Sequence, residues 1–357
     1  MKKRSIGNCA AALLFCGLVA ACGGGDAGGE GGGDQSLDAA LGGDGRLTIA
    51  MIAKSSTNPV FLSARTGAEE AAADLSQARG VPIEVVWLTP PQEDGQVQAQ
   101  RITQAVNEGA DAILISASDP GKVTTAIRDA VNRGVLVMTF DSDVPDSGRF
   151  AYYGVDDIET GRRVMQELAA QMGSEGGEIG ILAGNQNAPN LQMRVRGVRE
   201  EAANHPSIRI AGVFNHIETP QDAAAEVIRV MNAYPTISGW AMIGGWPLFT
   251  TALLDELDPE RVKIVAVDGL PAELPYVDRG LAPVLLAQPV YQWGYVGVET
   301  IVKKLLDNED VPERIPMELV RVTKDNLGDW ARQLQEWGFT DVDQKYLALP
   351  SADSAAQ

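Results

Sequence analysis

The sequence is poor in several chemistries at once. Only three of its 357 residues are cysteine and two are histidine. Cys9 and Cys16 lie among the first 21 residues and Cys22 follows at once, so everything after it is free of cysteine. That excludes disulfides, thiolate metal sites and cysteine nucleophiles from the folded part. His205 and His216 fall in no triad or metal-ligand spacing, and no Gly-x-Ser-x-Gly elbow occurs. Positive charge is also in deficit, with 29 Lys and Arg against 48 Asp and Glu and a formal charge of −19. Such acidity argues against nucleic acid and anionic membrane surfaces as partners. The apolar run from Ala10 to Ala21 is too short to span a bilayer.

That run follows Lys2, Lys3 and Arg4 and ends in Val19-Ala20-Ala21-Cys22, small residues directly before a cysteine. Residues 1–21 therefore read as a bacterial lipoprotein signal peptide, with Cys22 as the lipidated first residue of an exported, envelope-anchored protein. The alternative is an ordinary signal peptide with Cys22 incidental, and both export the chain. Losing three positive charges takes the mature form from −19 to −22. Residues 22–45 are almost all Gly, Asp, Glu, Ala and Ser, a composition that reads as a flexible tether. Its glycines are no phosphate loop, since no strand precedes them and no Gly-Lys-Ser or Gly-Lys-Thr closes them. About 310 residues remain, enough for two domains of ordinary size.

Along these residues short apolar runs alternate with segments of helical periodicity, the signal of an α/β protein with parallel sheets covered by helices. Strands are expected at Leu47 to Ala53, Ile83 to Leu88, Ala112 to Ala117, Val135 to Asp141 and Ala151 to Val155. Helices follow Asn58-Pro59 and fill 96–108 and 120–133. After a helix from Ile158 to Met172 the pattern restarts, with strands at Glu178 to Ala183, Ile208 to Phe214, Trp240 to Ile243, Lys263 to Asp268 and Ala282 to Ala287. Two such sets predict two Rossmann-like lobes with a ligand cleft between them. A closed eight-stranded barrel is the alternative, set back by the Gly173 to Gly177 break and the odd strand pair at Val135 and Ala151.

Ligands of open parallel sheets bind beyond the carboxyl ends of the strands, so polar residues ending each apolar run are the candidates. Asp141 in Phe140-Asp141-Ser142-Asp143 and Asp268 in Val267-Asp268-Gly269 are acceptor-only carboxylates suited to sugar hydroxyls. Each could instead cap the segment that follows. A calcium site lacks the close acidic spacing it needs, and a glycosidase pair of Asp141 and Asp268 has no mark that separates an acid from a hydroxyl acceptor. Phe61 and Trp246 follow strand ends, where an aromatic face can stack on a sugar ring or staple into the core.

The strand ends, taken in order, resemble those of the ribose-type periplasmic binding proteins, the sugar-binding branch of the type 1 solute-binding superfamily. The matching pieces are Asn58-Pro59-Val60-Phe61, Asp111 to Asp119, Val137 to Asp143, Arg194-Val195-Arg196-Gly197, Val267-Asp268-Gly269 and Ala287-Gln288-Pro289. The resemblance implies that Asn58 and Phe61 line the ligand from the first lobe, that Asp141 accepts its hydroxyls and that Ser116 adds a hydrogen bond. From the second lobe it points to Arg194, with Gln192 or Arg196 as alternatives, to Asp268 and to Gln288. Gly244-Gly245-Trp246 replaces a polar pair common in the family, exchanging one side-chain contact for a stacking face. Lobe 1 would comprise 46–155 and 289–315, and lobe 2 156–288 and 316–345, with 346–357 a tail. Three crossovers near Val155, Gln288 and Pro316 would form a hinge.

The function implied is a monomeric receptor, not an enzyme, that closes on a small polar solute, first among candidates a monosaccharide, and hands it to the permease of an ABC importer. It needs no cofactor or metal. A ligand-presenting receptor for a sensor partner and a secreted glycan-acting enzyme are the competing readings. The related sugar-responsive repressors carry a DNA-binding domain where this chain has a signal and a leash. Residues from Asn326 through Trp337 and Phe339 read as an amphipathic helix beyond the usual end of the family, packed on a lobe or binding a partner.

Overall fold

The computed structural model describes residues 45–352. The signal peptide, Cys22 and all but the last residue of the expected tether lie outside the described residues.

Two open six-stranded sheets carry the fold, as the alternation of runs predicts, and no closed barrel forms. The first contains β1 (Leu47–Ile52), β2 (Ile83–Trp87), β3 (Ala112–Ile115), β4 (Leu136–Phe140), β5 (Ala151–Gly154) and β11 (Arg314–Pro316), in the order β11-β5-β4-β3-β1-β2. The second contains β6 (Gly177–Ala183), β7 (Ile208–Asn215), β8 (Ile237–Met242), β9 (Lys263–Val267), β10 (Val284–Ala287) and β12 (Val320–Val322), in the order β12-β10-β9-β8-β6-β7. The two orders are the same order. Among the described residues only β12 breaks the parallel rule, running antiparallel to β10.

The helices are α1 (Pro59–Arg79), α2 (Gly95–Asn107) and α3 (Pro120–Asn132) in lobe 1, and α4 (Asp157–Met172), α5 (Pro189–Ala202), α6 (Pro220–Ala233) and α7 (Leu274–Asp278) in lobe 2. They are followed by α8 (Val290–Asp307), α9 (Leu327–Glu336) and α10 (Gln344–Leu347). Local chemistry sets their ends: Asn58 caps α1 by accepting from the Val60 amide, Pro59 takes the first helical position, and Gly80 closes the helix at φ 69°. Each sheet is covered on both faces. On β1, Leu47, Ile49 and Met51 face α1 and α8, while Ala50 and Ile52 face α2 and α3. Such a strand has almost no wet side, which is why it reads as an apolar run interrupted only by Thr48.

The chain crosses between the sheets three times: from β5 into α4, from β10 into α8, and from β11 to β12. Pro316 still pairs with Gly154 in the first sheet, so the last crossing follows it. The C-terminal segment is more integrated than a tail. On α9, Trp330, Ala331 and Leu334 enter the lobe 2 core, and the Trp330 indole N–H donates to the Gly269 carbonyl at 2.7 Å. Trp337 then stacks on Tyr291 of α8, with ring centroids 5.8 Å apart and planes 2° from parallel. The segment thereby touches lobe 1 as well. Tyr346 is buried in the lobe 2 core, so packed structure continues past the boundary expected at 345.

Candidate functional site

Both strand-end aspartates occupy the same position in their lobes. Asp141 ends β4 with φ 55° and Asp268 ends β9 with φ 81°, a left-handed backbone that non-glycine residues rarely adopt. Each amide donates to a carbonyl of the neighbouring strand, Asp141 to Tyr153 at 3.1 Å and Asp268 to Leu286 at 3.2 Å. The Tyr152 hydroxyl further donates to the Asp141 carbonyl at 3.0 Å. This turn aims both carboxylates out of the sheet ends, and both residues are buried between the lobes.

Their partners form two hydrogen-bonded groups, one around each aspartate, which the Arg194 charge joins into one electrostatic network because it acts on both Asp141 and Asp268. Asp141 Oδ2 accepts from Ser116 Oγ at 2.7 Å and meets Lys54 Nζ at 3.2 Å, while Oδ1 accepts from Asn190 Nδ2 across the cleft at 3.1 Å. Arg194 donates to Asp157 Oδ1 at 2.8 Å, to the Ile243 carbonyl at 3.1 Å and to Gln288 Oε1 at 3.0 Å. Gln288 passes its amide to Asp268 Oδ1 at 2.8 Å, and the Gly245 amide donates to Asp268 Oδ2 at 3.1 Å. The electrostatics follow from burial. Burial pushes the Asp157 carboxyl up to about 6 against the pull of Arg194, and it pushes Asp268 up as well. For Lys54 burial opposes the ammonium, but Asp141, Glu93 and Glu218 together prevail and raise its pKa.

Of the residues expected to bind, Asp141, Arg194, Asp268 and Gln288 come together in this network. Ser116 has no exposed surface and reaches it only through Asp141, so it orients the carboxylate. Arg194 is the inward residue of its helix. Gln192 turns back to the Gln186 carbonyl, and Arg196 pairs with Glu200 on the surface. Three expected residues stand apart. Asn58 is occupied as the cap of α1 at the rim of a cavity. Phe61 belongs to the lobe 1 aromatic cluster, 6.0 Å from Trp293 and 6.4 Å from Phe140. Trp246 is buried in the lobe 2 core and meets the edge of His216 at 4.9 Å.

Sequence reasoning missed Lys54, Asn190 and Asp157. Lys54 is the first polar residue after the β1 run and obeys the same rule that singled out Asp141. Asn190 lies one helical turn before Arg194 on the same face. Asp157 is hidden beside Asp156, which caps α4 through the Glu159 amide while Asp157 turns inward.

Beside the network lies a cavity of ≈ 560 Å³ lined from both lobes, by Ser55, Asn58 and Glu93 on one side and Asn185, His216 and Glu218 on the other. A polar cleft between two lobes of one topology, joined by three crossovers, is the arrangement of a hinged solute receptor. Residues 49–310 match the family described as periplasmic binding protein domain. The chain belongs to this family. Among its relatives is the ribose import binding protein of Escherichia coli (strain K12), 24% identical over 285 residues, covering 78% of this chain and 90% of that protein. The xylitol-binding protein of Mycolicibacterium smegmatis is 24% identical over 57% of this chain and 58% of its own length. A solute-binding protein from Burkholderia graminis, solved in complex with D-arabinose, superposes with a TM-score of 0.72 at 25% identity, covering 79% of this chain and 97% of that one. The family match stops at 310, so α9 and α10 lie beyond it.

Proposed function

We propose that this protein captures a small polyhydroxylated solute of monosaccharide size between its lobes and delivers it, by hinge closure, to the permease of an ABC importer. The observation that carries the reading is the convergence of Asp141 and Asp268, one from each lobe, onto a buried network with Arg194, Gln288 and Asn190. Carboxylates fixed in this way accept hydrogen bonds from vicinal hydroxyls, and a solute that engages both lobes stabilises the closed form over the open one. The relatives named for ribose and xylitol support the solute class. Binding without turnover agrees with that family, and Cys22 would tether a monomeric receptor to the outer face of the membrane. A thermal-shift screen of the protein against monosaccharides, polyols and their amino derivatives tests it. One ligand should raise the melting temperature, and Asp141→Ala or Asp268→Ala should abolish the shift. No shift with any member of the panel sinks the proposal.

A further inference from the structure

The cavity beside the network is acidic in a particular way. Glu93 of lobe 1 and Glu218 of lobe 2 meet at one residue, Asn185, whose side chain donates to Glu93 Oε2 at 3.1 Å and whose amide donates to Glu218 Oε1 at 2.8 Å. Glu93 Oε1 is out of contact with solvent and has no hydrogen-bond partner. A buried carboxylate oxygen left unmatched is costly, and burial, with Glu218 adding to it, pushes the Glu93 carboxyl up to about 8. Asp222 adds a third carboxylate to the lining, and no lysine or arginine lines the cavity. His216 supplies no charge, because burial lowers its pKa. Lys54, which feels both glutamates, is held at Asp141. Among the described residues no cluster of three His, Cys, Asp or Glu is placed to hold a metal ion.

We infer that the ligand carries an ammonium group as well as hydroxyls, as an amino sugar or amino polyol does, and that Glu93 and Glu218 receive that group beside Asn185. The inference rests on the reading of the cleft as a polyol site and sharpens its ligand class. An ammonium brings three donors and a positive charge that displaces the proton burial holds on Glu93 and leaves its oxygens as acceptors, while a hydroxyl brings one donor and no charge. Hydrogen bonds assisted by charge are about twice as strong as neutral ones. Closure brings the two carboxylates together from different lobes, so a cation between them favours the closed form.

Calorimetric titration of the full chain with matched ligands decides it: D-glucosamine against D-glucose and N-acetyl-D-glucosamine, and D-galactosamine against D-galactose. In at least one set the amine should bind tenfold or more tightly than its neutral partners. Glu93→Gln and Glu218→Gln should reduce that preference to under threefold. Melting curves of both variants at or above the wild-type temperature establish that they fold. Neutral sugars binding as well as or better than their amines overturn the inference and leave the solute-receptor reading standing. A preference for the amine that survives both substitutions removes Glu93 and Glu218 from it and overturns it as well. Binding of none of these ligands, or of any other member of the wider panel, overturns both readings.

Discussion

The two lobes share a strand order, and their helix pairs share more than that. In lobe 1, Gly67 and Gly294 let α1 and α8 touch backbone to backbone; a Cβ on either would run into the carbonyl of Tyr291 or of Ala64. In lobe 2, Gly197 and Gly161 do the same for α5 and α4 against the carbonyls of Ile158 and Arg194. Gly67 and Gly197 stand at the same offset from the prolines that open their helices, and Gly294 and Gly161 at the same offset from their helix starts. By that correspondence Ala64 and Val290 of lobe 1 occupy the positions of Arg194 and Asp157 in lobe 2. One lobe fills the place with two small apolar side chains and the other with a buried ion pair. Lobe 1 makes the same helix contact without such a pair, so packing of the helices alone does not require it.

The partners of the two aspartates differ in the same sense. Asp268 is held within its own lobe by Gly245 and Gln288, and Arg194 by Asp157 and Ile243. Asp141 is held within its own lobe by Ser116 and Lys54 and, in addition, across the cleft by Asn190. Both aspartates are thus held by their own lobes, and Asp141 alone adds a side-chain contact to the opposite lobe, through Asn190.

The sharpest way to break this comparison is to copy lobe 1 into lobe 2. Arg194→Ala leaves buried carboxylates uncompensated and should lower stability by ~3–5 kcal/mol in chemical denaturation. The double substitution Arg194→Ala/Asp157→Val restores the apolar pair and should recover more than half of that loss, with ligand binding still absent. A double variant as unstable as the single one would show that the ion pair is structural after all. Next in size, Gly67→Ala and Gly197→Ala should each cost ~1–3 kcal/mol or more by overpacking, and by similar amounts. A large loss in one lobe with tolerance in the other would dissolve the correspondence between the helix pairs.

The last effect is the pH slope contributed by Asp157, which has no counterpart at Val290 of lobe 1. Asp157 has its carboxyl raised to about 6 in the folded protein from an ordinary 3.8. Between those values the folded state keeps a proton that the unfolded state has lost. Its contribution to stability is therefore present at low pH and is lost as pH rises from 3.8 toward 6. The slope is ~1.4 kcal/mol per pH unit at most. Stability curves of the wild type and Asp157→Asn across this range should differ by that slope. Parallel curves would show that Asp157 stays ionised throughout.

The architecture and half of the candidate site were legible in residue order alone. A strand buried on both faces must be largely apolar, so β1, β3, β4, β6 and β9 were all legible, and the same rule exposed Asp141 and Asp268 where those runs stop. Gln288 followed from the resemblance, which left Arg194 open against Gln192 and Arg196. What remained hidden depends on the direction a side chain takes once the strand has ended. Phe61 and Trp246 satisfy the pattern of a stacking face equally well when they point into a core, which is where they lie. Ser116 lies beneath Asp141, Asp157 differs from Asp156 only by a turn of helix start, and the meeting of Glu93 with Glu218 joins residues from different lobes. Tertiary structure alone decided these. Whether a polar group is buried, and which charge faces it, are properties of two surfaces brought together, whereas hydrophobic period and strand length are properties of one segment.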